Sequence, residues 1–428
     1  MKRPKNTGPK KAIKIRIYPD KEQTILLYKT FGCCRKLFNT FLDLKRNRQP
    51  CPTEHELKEQ FSFMKEVDSI ALQQSRVNLV NAFDNFFKSI KGQRKGPKMG
   101  QPKFKSKRNG HQSYKTNNVN NSIRINFETR HIKLPILGWV KFRDNRVFNA
   151  QIRSATVSKD PSNRFYVSIL IDKVVPRVKV APKKALKKVI GMDMSMKNVL
   201  VNSKGTKLEH PKYFRKYEEK LAWEQRKLSR KQKGSKTQKS SHKYQKQRIK
   251  VAKIQAKISD SRNDFMQKLS TQITNEYDLI CIESLNMHAM AQSLNLGKSV
   301  NDLGWGMFIR MLEYKSLWKG KYIIEIPKYF PSSQLCHACA YRYKGLTLSE
   351  RTWVCPVCGT VHDRDINAAI NVEVEGVRIF KERYGTVGTT ETGSCRKARP
   401  INARGDCVRP MHAQDLACEA LSCTGNGR

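Results

Sequence analysis

Acid is what this chain is short of. Asp and Glu number 36 against 84 Lys and Arg, a net charge of +48 over 428 residues. A soluble chain so unbalanced repels itself unless a polyanion neutralises it, and nucleic acid is the polyanion that fits. Long apolar runs are missing too. No stretch approaches the roughly 18 residues of a spanning helix, and the basic start MKRPKNTGPKK has no apolar segment behind it. Neither a membrane span nor a secretory leader is expected, and no basic amphipathic terminus suits a membrane surface. A disulfide framework is lacking as well. Of twelve cysteines, four have metal-ligand spacing and those near the C-terminus have none, which fits a reducing cytoplasm.

Those four carry the clearest signal. Cys336/Cys339 and Cys355/Cys358 form two Cys-x-x-Cys knuckles with fifteen residues between them. Each pair grips an ion from one side, and a hairpin-length spacer brings the second pair round to close a tetrahedral S₄ site suited to Zn²⁺. A redox Cys-x-x-Cys is the rival, but two equally spaced pairs without a thioredoxin-like context argue against it. A closed Cys₄ site leaves no open position, so this zinc is expected to build structure.

The chain before the knuckles alternates in character. AIKIRIY at 12–18 has a strand's period, and Asp20 with Gln23 reads as a helix cap. Cys33 and Cys34 fall in that helix as packed thiols. A second helix over 70–91 sets Val80, Phe83, Phe87 and Ile90 on one apolar face, expected to be core. Residues 92–109 are rich in Gly, Pro, Lys and Arg, a basic loop with Phe104 as one stacking ring. SIRINFE, HIKLPILGWVKF, AQIRSATVS and RFYVSILIDKV then read as antiparallel strands of a β-barrel or sandwich. Between 226 and 257 stand thirteen Lys or Arg and no acid, beyond an ordinary solvated face. Gly234-Ser235 is expected to break that stretch into two antiparallel helices.

Against this background three acids stand out. Asp193 is expected in the middle of a buried strand, Glu283 at the end of another in DLICIES, and Asp365 at a helix start. A carboxylate in an apolar strand is expensive unless something positive holds it. The order of strands and helices describes an RNase H-like α/β core, whose strands aim such carboxylates at one edge. Converging oxygen ligands suit Mg²⁺ or Mn²⁺ and the in-line displacement of a phosphodiester. Glu325 is a lesser candidate, expected to face solvent. The rival reading is three unrelated acids, with Asp365 merely capping its helix.

The ordered set GMDMSMKNVLV, DLICIESLNM, Cys₄ ribbon and HDRDINAAINV resembles the RuvC-type nuclease of the TnpB family. These OrfB-type insertion-sequence proteins are RNA-guided DNA endonucleases related to compact type V CRISPR effectors. The resemblance covers about residues 12–386 and implies a multidomain α/β protein. Its RNase H-like (RuvC) core carries an inserted zinc ribbon and follows a β-barrel-like wedge with a helical recognition insertion. The implied division is a wedge at 1–19 and 92–182, a recognition lobe at 20–91 and a nuclease core at 183–333. A ribbon at 334–360, a third core motif at 361–386 and a disordered tail at 387–428 complete it.

By motif match the catalytic, Mg²⁺-binding acids are Asp193, Glu283 and Asp365, with the Asp-x-Asn-Ala-Ala register selecting Asp365 over Asp363. Ser195 and Ala340 stand where Gly is usual, and neither is expected to touch a ligand. The implied partners are a guide RNA from the transposon end and double-stranded target DNA in the prokaryotic cytoplasm, bound by a monomer, with self-association left open. Lys103, Phe104, Lys105 and Lys107 in the loop are candidate contacts. So are Arg226, Lys227, Arg230, Lys231, Lys246 and Arg248 in the basic helices. A protein-only transposase and a non-catalytic DNA- or RNA-binding regulator are the alternatives.

Overall fold

Alternation decides the first strand. β1 (Lys11–Tyr18) buries Ile13, Ile15 and Ile17 while Ala12, Lys14 and Arg16 face out, the period-two pattern of a half-buried strand. The computed structural model describes residues 11–94, 96–172, 186–195, 198–209, 211–234, 240–285, 304–347 and 349–384. The tail expected at 387–428 lies outside them. Asp20 ends β1 and caps α1 (Lys21–Arg46). Its carboxylate accepts the Gln23 amide at 2.8 Å, and the Gln23 side chain accepts the Asp20 amide at 3.2 Å, a capping box. After α2 (Glu54–Gln60) comes α3 (Ser69–Ile90).

The apolar stripe of α3 is not core along its whole length. Leu72 and Leu79 are buried, but Val80, Phe87 and Ile90 are 46%, 49% and 66% exposed. For Phe87 and Ile90 the reason is the length of α1, whereas Val80, next to buried Leu79, is turned off the packed face. Ser75 bonds the Cys34 carbonyl, Arg76 lies over Phe41, and Lys45 lies over Phe83. The two helices therefore run alongside in the same direction, and α1 stops at Arg46. The last two turns of α3 continue past its end.

By contacts the chain divides into two compact units, 1–174 with 220–256 and 175–219 with 257–428. The basic segment 220–256, expected within the nuclease core, thus groups with the first unit. That unit holds a seven-stranded antiparallel sheet in the order β2-β6-β7-β1-β5-β4-β3. Its strands are β2 (Gln112–Asn117), β3 (Arg124–Asn126), β4 (His131–Leu134), β5 (Gly138–Arg143), β6 (Ile152–Lys159) and β7 (Phe165–Ile171), with β1 central. The expected barrel is not closed. Among the described residues the edge strands β2 and β3 do not pair, and β3 has three residues with which to do so.

The second unit is built on a mixed sheet, β10-β9-β8-β11-β12. β8 (Val189–Asp193), β9 (Asn198–Asn202) and β10 (Lys207–Glu209) meander antiparallel, and β11 (Leu279–Glu283) and β12 (Tyr322–Ile326) run parallel to β8. The remaining helices are, in chain order, α4 (Tyr213–Ser229), α5 (His242–Glu276), α6 (Trp305–Lys319) and α7 (Arg364–Tyr384), with 220–229 of α4 and 242–256 of α5 counted in the first unit. The break between α4 and α5 falls where Gly234 was expected to put it.

β11 is buried on both faces, as parallel strands are when helices cover them. Ile280 and Ile282 join Met266 and Ile273 of α5 and Phe308 and Leu312 of α6. Leu279 and Cys281 join Val372, Ile379 and Phe380 of α7. Two glycines let α7 lie this close. A Cβ on Gly191 would sit 2.1 Å from the Ala369 carbonyl, and one on Gly376 would sit 2.3 Å from Cys281 Sγ.

Candidate active site and metal centre

Period two and register bring the first two acids together. Asp193 ends β8 instead of lying in its middle, and Glu283 ends β11. The strands pair Cys281 with Gly191 and Ile282 with Met192, so the next level sets Glu283 beside Asp193. Both share the strand face of Gly191 and Cys281, the face on which α7 packs. Asp365 stands in the first turn of α7, one helical turn before Ala369. Asp363, not Asp365, caps this helix. Its Oδ1 accepts the Asp365 and Ile366 amides at 3.1 Å each, and its Oδ2 meets Lys207 Nζ at 2.6 Å.

The electrostatics follow from that crowding. Burial, then the neighbouring Glu283 and Asp365, push the Asp193 carboxyl well above the usual range. Burial raises Glu283 too, against the pull of a hydrogen bond from Ser332 Oγ to its Oε1. Asp365 accepts from Ser195 Oγ at 3.3 Å and pairs with Arg351 at 3.4 Å. Ser195, read from the sequence as clear of any ligand, is therefore in contact with one of the three acids. Neighbouring carboxylates are hard oxygen donors of the kind that suits a divalent cation, although among the described residues only the four cysteines bring three or more ligand atoms within 4.8 Å of one another. Glu325 faces solvent on β12.

Beyond β12 the four cysteines converge. Their sulfurs all lie within 4.8 Å of one another, with Cys336–Cys358 and Cys339–Cys355 both at 3.6 Å. Four sulfurs at about 2.3 Å from one zinc would stand about 3.8 Å apart, so the donor set fits the ion. The hairpin β13 (Thr352–Val354) and β14 (Val361–Asp363) carries the second knuckle and runs straight into α7. Trp353 fills the small core between the knuckles, stacked on Tyr343 with centroids 5.7 Å apart and tilted against His362 at 4.5 Å. His362 Nε2 is 3.1 Å from Cys336 Sγ. The Thr360 hydroxyl lowers the exposed Cys358 thiol to about 6, whereas burial raises Cys336 and Cys339. A bound cation would hold all four as thiolates.

Comparisons with known proteins bear on the family of the chain. Family models described as "Probable transposase", "Cas12f1-like, TNB domain" and "Helix-turn-helix domain" match residues 168–294, 305–372 and 9–49. A protein of Streptomyces pristinaespiralis named "Putative RNA-guided DNA endonuclease" is 33% identical, across 86% of this chain and 90% of its own. The chain belongs to the TnpB family. Another relative, InsQ of Escherichia coli, is 27% identical across 85% of this chain and 92% of its own and carries the same descriptive name. A solved Cas12f1–sgRNA–target DNA complex aligns over 85% of this chain at 13% identity and a TM-score of 0.32, too low to carry an argument.

The basic candidates of this TnpB-family chain fall in the first unit. The loop at 102–112 is pinned to α1. Arg46 Nη2 donates to the Pro102 carbonyl at 2.6 Å, and Asn39 brackets Lys105 through its amide and carbonyl at 2.8 and 2.9 Å. Phe104 is 49% exposed with the Arg46 guanidinium 4.9 Å from its centroid. Lys103 and Lys107 are exposed, while the Lys105 ammonium lies over Phe38. On α4 and beyond it, Arg226 and Arg230 are exposed and Lys227 and Lys231 half-buried, with Lys227 over Trp223. Lys246 and Arg248 are exposed on α5 beside Gln247, which turns in to bond the Glu224 carbonyl at 3.0 Å.

Sequence reasoning missed a cleft of about 620 Å³ whose lining includes Arg16, Arg164, Lys253, Ser162 and Asn163. It also missed Ser332, Asn367 and Asn371. Nothing in the local pattern PSSQLC singles out the serine. The asparagines were visible in DINAAINV as an i, i+4 pair on one helix face.

Proposed function

We propose that this chain is a metal-dependent, RNA-guided DNA endonuclease of the RuvC type. Asp193, Glu283 and Asp365 would be its metal-binding carboxylates, and the cysteine ribbon a structural zinc site. The observation that carries the reading is the meeting of three acids from β8, β11 and α7 at one sheet edge, in a chain of net charge +48. The strand order, three antiparallel then two parallel with helices on both faces, is that of an RNase H-like core. A bound Mg²⁺ or Mn²⁺ supplies Lewis acidity toward a phosphodiester oxygen.

The chain's own residues do the rest. Ser195 and Arg351 hold Asp365, and Ser332 holds Glu283. Asp363 is engaged in capping and in pairing with Lys207, so it is left out of the set. The exposed lysines and arginines of 103–107 and 226–248 would track RNA and heteroduplex backbone, while base pairing selects the target.

The test is to purify the protein at moderate salt, sequence the nucleic acid that stays bound, and replace the RNA's terminal guide segment. Cleavage should move to DNA matching the new guide beside a fixed flanking motif. Cleavage of one DNA site at the same rate after RNase treatment would instead favour the protein-only transposase, which the "Probable transposase" match keeps in view.

A further inference from the structure

Directly before the first knuckle runs Pro331-Ser332-Ser333-Gln334-Leu335. Ser332 is 7% exposed, and its two polar ends face different partners. Its hydroxyl donates to Glu283 Oε1. Its carbonyl accepts from Asn371 Nδ2 at 2.8 Å, and the same amide reaches the Leu335 carbonyl at 2.7 Å. One turn earlier on α7, Asn367 Nδ2 donates to that Leu335 carbonyl at 2.7 Å. Asn367 Oδ1 accepts the His337 amide at 3.1 Å and lies 3.0 Å from His337 Nδ1. Both asparagines are buried.

A serine kept only to shape a loop would spend its hydroxyl on nearby backbone. Here the loop is shaped by other groups. Ser332 N bonds the Phe330 carbonyl, and the asparagine pair clamps the 332–335 backbone to α7. The Ser332 hydroxyl is left for the carboxylate. Glu283 is a long, buried side chain at the level of Asp193, whose carboxyl it pushes up, and a fixed donor keeps it from swinging away. A charge-assisted bond to one oxygen fixes the carboxyl plane and leaves Oε2 unengaged by Ser332.

We propose that Ser332 is a positioning residue for Glu283, held in place by the Asn367–Asn371 pair, so that the ribbon's attachment to α7 sets the geometry of the metal-binding carboxylate. This rests on the reading of Glu283 as a metal ligand. Groups that orient a ligand typically change metal affinity 10- to 100-fold when removed.

The experiment titrates Mn²⁺ into the nucleic-acid-free full-length protein, followed by electron paramagnetic resonance, beside zinc content and cleavage by the RNA-loaded protein against Mg²⁺ concentration. Ser332→Ala should raise the metal needed for half-saturation about 10-fold or more, keep its zinc, and recover much of the rate at saturating Mg²⁺. Ser332→Thr, which keeps the hydroxyl, should titrate close to wild type. Should Ser332→Ala lose zinc or fold poorly, near-isosteric Ser332→Cys carries the same comparison. Either variant, folded and zinc-loaded, titrating like wild type while Glu283→Gln binds Mn²⁺ more weakly would overturn the positioning role alone. Glu283→Gln itself titrating like wild type would overturn the metal-site reading and this role with it.

Discussion

The second unit gathers two sets of anion-forming groups, and the two are built in opposite ways. In the ribbon, four sulfurs within 4.8 Å come from two turns of one short segment. In the acid cluster, the three carboxylates come from β8, β11 and α7, at positions 193, 283 and 365. Each of the last two is braced by a side chain from elsewhere, Ser332 on Glu283 and Ser195 and Arg351 on Asp365. A closed set of soft ligands saturates its ion and leaves nothing for a substrate. An open set of hard ligands leaves room for water and phosphate oxygens. The first suits folding and the second suits chemistry, so breaking each should look different.

The largest effect should come from the open set. Asp193→Ala or Glu283→Ala should lower cleavage by at least ~10²–10³-fold, the scale of removing one group that stabilises transition-state charge. RNA retention and DNA binding should persist, since no exposed basic residue is touched. Cleavage kinetics beside filter binding check this, and Glu283→Ala cutting at the wild-type rate would remove it from the site.

Breaking the closed set should be costly by another route. Cys355→Ser should lose the single zinc and melt the hairpin around Trp353. It should lower cleavage about 10-fold or more, because the segment carrying Ser332 loses its anchorage. Elemental analysis and tryptophan fluorescence follow the loss. High Mg²⁺ should rescue Ser332→Ala better than Cys355→Ser, since only the latter also loses structure.

The comparison was legible to different depths. The cysteine cluster could be read from spacing alone, because all four residues lie in one local segment. Asp193 and Glu283 stood out as charges in apolar strands and Asp365 at a helix start, but the common level of the first two could be known only from the β8–β11 register, which no local pattern prints. Ser332 was invisible, being a common residue whose importance arises from a partner 49 positions away. The stripe on α3 was misjudged for a similar reason. Periodicity shows that a helix has an apolar face, not that its neighbour is long enough to cover it. In the first unit QSYKTN was passed over as a strand, and it forms the polar edge strand β2.

A smaller effect is written in pH. Asp193 and Glu283 have folded pKa values above the ordinary carboxylate range. The folded state therefore holds protons that the unfolded chain gives up. The stability this lends is full below the ordinary range and is lost as pH rises through the raised values. In buffer free of Mg²⁺ and Mn²⁺, with variant and wild type compared at each pH so that zinc loss in acid is common to both, Glu283→Gln should melt with wild type near pH 4 and above it near about pH 8. Adding Mg²⁺ at the higher pH should stabilise wild type more than the variant. An equal melting difference at both pH values would contradict the raised carboxyls.

The smallest effect lies between the two knuckles themselves, which share only their cysteines in sequence but repeat the same backbone hydrogen bonds. In the first, the Ala340 amide bonds the Cys336 carbonyl at 2.8 Å and the Cys336 amide bonds the Tyr341 carbonyl. In the second, the Gly359 amide bonds the Cys355 carbonyl at 2.9 Å and the Cys355 amide bonds the Thr360 carbonyl. Residue 340 has φ +62° and residue 359 has φ +70°, so both turns need the left-handed region, and one meets that need with alanine. An L-residue there costs roughly 1–2 kcal/mol, and glycine returns about 0.4–1 kcal/mol of that through the freedom it adds to the unfolded chain. Ala340→Gly should therefore stabilise the ribbon by up to about 1 kcal/mol, and Gly359→Ala should destabilise it by a similar amount, the pair together nearly cancelling. The measurement is the chelator concentration that removes half the zinc from each variant. Ala340→Gly releasing zinc more readily than wild type would mean that the alanine methyl makes a contact worth more than its backbone strain.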